Sequence, residues 1–188
     1  MNSTTLTARR TMATALIVLS LMASSLVSQT AGAHTSPDRL TVRQIIEIWT
    51  ATKQFRNVDA AVAAGYLPTE ECSELPGAGG MGYHYVNPTY IADGVIDPTK
   101  PEILLFRLNH RGQLALAGVE YFAADGDQDL ATDPDRPNLY GHPFDGPMPG
   151  HDPEMPAHYD LHFWLYRINP AGMLEPWNPR VTCPGAYT

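Results

Sequence analysis

The strongest constraint on the fold is a pair of apolar segments separated by a short polar turn. Residues 102–108 (EILLFRL) and 113–123 (QLALAGVEYFA) have the composition of β-strands, and residues 109–112 (NHRG) are turn formers. Two such segments joined by a short turn predict an antiparallel β-hairpin. The fold of this chain is therefore expected to contain an antiparallel sheet.

Further strands and helices are predicted on either side of the hairpin. Residues 81–88 (MGYHYVNP) and 158–168 (HYDLHFWLYRI) alternate as strands do. Residues 68–75 are polar and are assigned no element, and residues 76–80 (PGAGG) predict a loop. Apolar residues at helical spacing predict helices over residues 40–55 and 58–64. This order predicts an α+β fold, with N-terminal helices packed on an antiparallel sheet or partial β-barrel.

The N-terminus has the features of an export signal. Arg9 and Arg10 precede an apolar run over residues 13–27, and Ala31-Gly32-Ala33 fits the small-residue rule for cleavage. We expect residues 1–33 to be a signal peptide, which leaves residues 34–188 as a single domain. The mature protein is then periplasmic or extracellular, with no stable membrane association. The arginine pair leaves both general and twin-arginine export open.

The charge of the chain excludes several classes of partner. The formal net charge is −8, and loss of the leader, which contains two arginines and no acidic residue, makes it more negative. Nucleic acids and anionic lipids are bound through basic surfaces, so neither is expected as a partner. A metal cation or a small molecule is compatible with this charge.

Cys72 and Cys183 are the two cysteines of the chain. In an exported protein, two cysteines far apart in sequence are expected to form a disulfide. The alternative is a thiolate metal or redox site, which the absence of C-x-x-C spacing disfavours. We therefore predict a covalent link between the region after the N-terminal helices and the C-terminal tail.

Histidines and carboxylates are concentrated around the last predicted strand. His158 and His162 have the i, i+4 spacing that chelates a metal on a helix. On a strand, however, residues four apart are separated by about 13 Å, too far for one ion. A site built on this strand must therefore recruit ligands from neighbouring strands.

Same-face residues on paired strands lie close enough to share one ion. His84, Glu120 and His162 are each in the middle of a predicted strand, and His158 is a candidate fourth ligand. Two imidazoles and a carboxylate suit iron, copper or zinc. The residues expected to orient these ligands or line an adjoining pocket are Asp160, Tyr83, Tyr85, Trp164, Tyr166 and His151.

The sequence thus predicts a His/carboxylate metal site on one sheet face, and it leaves open whether the protein is a metal-dependent enzyme. One alternative is a metal-free hydrogen-bond network in a small-molecule binding module, with Trp164, Tyr166, Tyr83 and His162 lining its pocket. Another follows from cleavage after Ala33, because a mature N-terminal His34 can bind copper through its amine and its ring.

Five motifs resemble those of a family of exported bacterial proteins of unknown function. They are residues 81–88 (MGYHYVNP), 118–121 (GVEY), 146–151 (GPMPGH), 158–162 (HYDLH) and 177–179 (WNP), which together span most of the mature chain. The resemblance implies a single exported domain. It implies no particular activity.

Overall fold

A computed structural model describes Met1, residues 40–151 and residues 155–184. The predicted signal peptide and His34 lie outside these residues, so export and the copper site at His34 stay predictions. None of the helices in the described part of the chain has the length and hydropathy of a membrane-spanning segment.

The predicted N-terminal helices are confirmed, with clear local causes for where they begin. Helix α1 (Val42–Thr52) starts with a capping box, in which the Gln44 backbone N–H donates to Thr41 Oγ1 at 3.3 Å and the Thr41 N–H donates to Gln44 Oε1 at 2.7 Å. A 3₁₀ turn (Lys53–Arg56) follows, and α2 (Val58–Ala63) is capped by the Asn57 side chain. A short α3 (Pro88–Asp93), with proline in its first turn, was not predicted.

The predicted antiparallel sheet is also confirmed. Its strands, in chain order, are β1 (Leu67–Leu75), β2 (Gly79–Val86), β3 (Ile103–Leu108), β4 (Leu114–Ala124), β7 (Asp145–Met148) and β8 (His158–Phe163), while β5 (Asn138–Leu139) and β6 (His142–Pro143) form a separate pair. The spatial order is β1-β2-β3-β4-β8-β7, with every neighbouring pair antiparallel. The sheet is open, with β1 and β7 as its edge strands, and it does not close into a barrel.

Strand β1 was not predicted, because the polar residues 68–75 were assigned no element. The loop predicted over residues 76–80 corresponds to the turn at residues 76–78 that joins β1 to β2. The two strands pair from Leu67 opposite Val86 to Leu75 opposite Gly79. The side chains of this segment give little strand signal, but its backbone completes hydrogen bonds that the edge of β2 offers. Pairing context therefore overrides intrinsic strand propensity here.

The two faces of the sheet are buried by different parts of the chain. On one face the helices contribute Ile48, Phe55 and Ala61 to a core with sheet residues such as Leu104 and Phe163. We call this the helix-side core. The opposite face carries a smaller cluster, here called the tail-side core, which consists of Ile103, Leu105, Ala117, Phe122, Trp164 and Val181.

The C-terminal tail lies against the edge of the tail-side core. Gly80 and Asn178 form a β-bridge, and the Gly80 N–H also donates to the Val181 carbonyl at 2.9 Å. The approach requires glycine at position 79, where a Cβ atom would overlap the Asn178 backbone. The predicted disulfide is present: Cys72 of β1 is bonded to Cys183, with their Cα atoms 5.7 Å apart.

We predict that this disulfide makes a large contribution to stability. Because it joins residues 111 positions apart, replacing both Cys72 and Cys183 by serine should lower the free energy of unfolding by about 5 kcal/mol in the chain-entropy model. Equilibrium urea denaturation of the oxidised protein and of the double variant measures the difference. A loss below about 1 kcal/mol would show that the tail is held without the disulfide.

Candidate metal centre

The strand register places three of the predicted ligands on the tail-side face of the sheet. Glu120 in β4 is directly opposite His162 in β8, so their side chains leave the sheet on the same side. His84 is in β2, two strands from Glu120, and its register partner in β3 is Leu105 of the tail-side core. The His84 imidazole and the Glu120 carboxylate therefore approach each other across β3.

The side chains of these residues converge. His84 Nε2 lies 3.3 Å from Glu120 Oε2, and His162 Nε2 lies 3.6 Å from the same oxygen. The His162 side chain is fully buried, and that of Glu120 is 6% exposed. The structure thus brings together His84, Glu120 and His162, although their role as metal ligands stays a prediction.

Asp160 adds a second carboxylate. It precedes His162 by two residues on the same strand, and its Oδ1 lies 3.5 Å from His162 Nδ1. Glu120, Asp160 and His162 each offer an atom within 4.8 Å of the others, so these three buried residues can hold a metal ion. We refer to His84, Glu120, Asp160 and His162 as the polar cluster.

Several atoms of the polar cluster are close together without forming hydrogen bonds. Glu120 Oε2, Asp160 Oδ1 and both ring nitrogens of His162 are buried and have no hydrogen-bond partner within residues 40–151 and 155–184. His162 Nε2 lies 3.6 Å from Glu120 Oε2, and His162 Nδ1 lies 3.5 Å from Asp160 Oδ1. Neither pair of atoms has hydrogen-bonding geometry. Buried polar atoms in native proteins are nearly always paired, so these four require an explanation.

The electrostatics of the cluster favour opposite charges on Glu120 and His162. Burial alone would raise the pKa of Glu120, but the positive charge of His162 and the proximity of His84 lower it below its ordinary value. Burial alone would lower the pKa of His162, but the negative charges of Glu120 and Asp160 raise it. Without a metal, the cluster is thus a buried ion pair flanked by an additional carboxylate.

His158 lies outside this group, although it was a candidate fourth ligand. It is buried on the same face two residues before Asp160, its Nδ1 lies 3.1 Å from the Pro156 carbonyl oxygen, and its ring stacks on Phe122. His151 approaches the ring of His158 and not that of His162.

The predicted aromatic residues are divided between the two faces. Trp164 belongs to the tail-side core, stacks near His162 with ring centroids 6.5 Å apart, and donates its indole N–H to the Glu175 carbonyl. Tyr83 and Tyr85 pack with the helix-side core, and so does Tyr166, whose hydroxyl contacts Thr52 of α1. The three tyrosines therefore lie away from the polar cluster.

A cavity of about 460 Å³ adjoins the cluster at Asp160. Its polar lining includes the carboxylates of Asp145, Asp160 and Glu175. Asp145 faces Asp160 across β7 and β8, and burial, with repulsion from Asp160, raises the pKa of Asp145. The other lining residues are Met81, His142, Pro143, Met148, His151, Leu161, Leu174, Pro176 and Trp177.

Three cavity residues, Asp145, Glu175 and Trp177, were not predicted from the sequence to belong to the site. Asp145 and Trp177 fall in or beside recognisable motifs, but the register that opposes Asp145 to Asp160 includes a strand irregularity. Glu175 and Trp177 reach the cavity because the C-terminal tail folds back over the sheet. Strand periodicity carries no information on that path.

No family model, no curated protein and no solved structure matches the chain. The resemblance to a family of exported bacterial proteins therefore stays a prediction, and the site is interpreted from its own geometry.

A buried carboxyl group outside the polar cluster gives a prediction of how stability depends on pH. Glu102 is 1% exposed, its Oε2 accepts the Phe122 N–H at 3.2 Å, and burial raises its pKa from 4.5 to about 8. Between pH 4.5 and about pH 8, Glu102 is therefore protonated in the folded protein and ionised in the unfolded chain. Stability should therefore fall as pH rises from about 4.5 to about 8, by up to about 5 kcal/mol, and level off above that range.

The variant Glu102→Gln should lack this contribution to the pH dependence. Urea denaturation of both proteins from pH 4.5 to pH 9, with a chelator present to exclude metal effects, provides the comparison. The difference in unfolding free energy, variant minus wild type, should increase with pH across this range. A difference that is independent of pH would mean that Glu102 is ionised in the folded protein.

Proposed function

We propose that the protein binds a transition metal ion at the polar cluster. In this proposal His84 Nε2, Glu120 Oε2 and His162 Nε2 are the ligands, and Asp160 accepts a hydrogen bond from His162 Nδ1 once the metal occupies Nε2. A carboxylate on the far nitrogen of a metal-bound imidazole fixes its tautomer and orientation.

The observation that carries this proposal is the set of four buried atoms without hydrogen bonds on Glu120, Asp160 and His162. Leaving such atoms unpaired costs free energy, whereas an ion at Glu120 Oε2 and His162 Nε2 would satisfy both directly. The Nδ1–H of His162 would then be available to Asp160. A single ion thus accounts for all four atoms.

The chemistry of the ligands narrows the choice of metal. Two imidazoles with one carboxylate suit iron, copper or zinc and leave coordination positions for water or substrate. The adjoining cavity is within the size range of small-molecule sites and reaches the cluster at Asp160. We therefore propose that the ion acts on, or recognises, a small molecule that enters through this cavity.

The proposed function is that of an exported protein. The disulfide between Cys72 and Cys183 supports this placement, because such bonds persist mainly in oxidising compartments. The signal-peptide pattern of residues 1–33 points in the same direction.

The second candidate function is a metal-free small-molecule binding module. The cavity itself favours it, because Leu174, Pro176 and Trp177 give an apolar lining beside the polar groups. In that case His162 would stay protonated between Glu120 and Asp160, and the polar cluster would have only a structural role. Metal content distinguishes the two functions.

We predict that the polar cluster of protein recovered from the exported fraction holds about one transition metal ion per chain. His162→Ala and His84→Ala should abolish binding at this cluster, because each removes a ligand. Asp160→Asn should weaken affinity by about 10–100-fold, as expected when an orienting partner is lost. Elemental analysis together with competition against a chromophoric chelator provides both measurements.

His110→Ala is the matched control, because His110 is an exposed histidine in the turn between β3 and β4 and should not affect binding. Cooperative unfolding of each variant establishes that it is folded. If wild-type protein binds no ion, or if His84→Ala and His162→Ala bind as the control does, the metal proposal fails. A different result would place the ion at Nδ1 of His162. In that case Asp160→Asn would lower metal affinity as much as His162→Ala does, and His84→Ala would leave it unchanged.

A further inference from the structure

His158 has a buried ring nitrogen that the polar cluster does not use. The residue is 0% exposed, and its Nε2 has no hydrogen-bond partner among the residues that the structure describes. Its other nitrogen, Nδ1, lies 3.1 Å from the Pro156 carbonyl oxygen, which can only accept. Nδ1 therefore carries the proton, and Nε2 presents a lone pair. A backbone carbonyl that fixes the tautomer in this way is typical of metal-binding histidines.

A second histidine faces this ring. The centroids of His151 and His158 are 5.3 Å apart, with the ring planes at 82°. With metal–nitrogen distances of about 2.0 Å, two imidazoles on one tetrahedral ion would have centroids roughly 5 Å apart. The pair is therefore spaced as two ligands of one ion are.

A thioether side chain extends from the strand next to His158. Met148 in β7 is the register partner of His158, so the two side chains leave the sheet on the same face. Met148 and His151 both line the cavity, which gives an ion access from solvent. On the other side of His158 the Phe122 ring stacks at 5.0 Å and forms an apolar wall.

We propose that His151, His158 and Met148 form a second metal site, which binds Cu(I). Thioether sulfur is a soft ligand that selects Cu(I), whereas the carboxylates of the polar cluster suit harder ions. The two sites share no ligand. The proposal therefore does not depend on metal binding at Glu120 and His162.

The test is an anaerobic titration of the metal-free protein with Cu(I), held reduced by ascorbate, against bicinchoninate as competitor. Met148→Leu preserves side-chain volume and removes the sulfur, and His151→Ala removes a partly solvated ligand. Each should weaken Cu(I) binding by at least about tenfold. The controls Met173→Leu and His110→Ala alter exposed residues elsewhere and should leave the affinity unchanged.

X-ray absorption of the Cu(I)-loaded protein should show a sulfur neighbour that Met148→Leu lacks. His162→Ala should retain this Cu(I) site even though it loses the ion at the polar cluster. The proposal is overturned if Met148→Leu and His151→Ala bind Cu(I) with unchanged affinity, or if the copper has no sulfur neighbour. The arrangement of His151 and His158 would then be an edge-to-face contact between two rings and not a metal site. Loss of Cu(I) in His162→Ala alone would do the same, by assigning the copper to the polar cluster.

Discussion

The cross-strand contact between Glu120 and His162 is the constraint on which the rest of the site depends. Their pairing in β4 and β8 places a carboxylate and an imidazole side by side in a buried position. Burying either group alone would be costly, so each requires the other or a metal ion. His84 and Asp160 then extend the contact on either side of it.

The surrounding fold keeps this polar group away from bulk water. The strands hold it on the face opposite the helices, beside Trp164 and Phe122 of the tail-side core. The C-terminal tail closes over the same face, bridged at Gly80 and tied to β1 by the disulfide. The described cavity then approaches the cluster from one direction, at Asp160. The His84 side chain is 16% exposed, whereas those of Glu120, Asp160 and His162 are nearly or fully buried. A largely buried set of polar side chains beside a cavity is the arrangement expected of a site that admits a small ligand.

The sequence allowed the sheet and part of the site to be predicted because both follow from period-two alternation. His84, Glu120 and His162 are each central in a strand, and the structure brings their side chains together through pairing. The same alternation correctly argued against chelation by His158 and His162 alone. These inferences required only the geometry of paired strands.

Other features depend on contacts that periodicity does not encode. β1 was missed because its polar segment becomes a strand through pairing with β2. The tyrosines at 83, 85 and 166 were expected near the site, but they pack with the helix-side core. Trp177 reaches the cavity because the C-terminal tail folds back over the sheet. The predicted disulfide fixed the position of Cys183, but it did not predict the path of the residues before it.

The proposed metal ion would satisfy the unpaired atoms of Glu120 and His162. Anomalous diffraction from crystals of the exported protein tests this, with data collected above and below the absorption edge of the metal that elemental analysis identifies. We expect an anomalous peak within bonding distance of Glu120 Oε2 and His162 Nε2, with Asp160 hydrogen-bonded to His162 Nδ1. A density map without such a peak, in which His162 donates hydrogen bonds to both carboxylates, would contradict it.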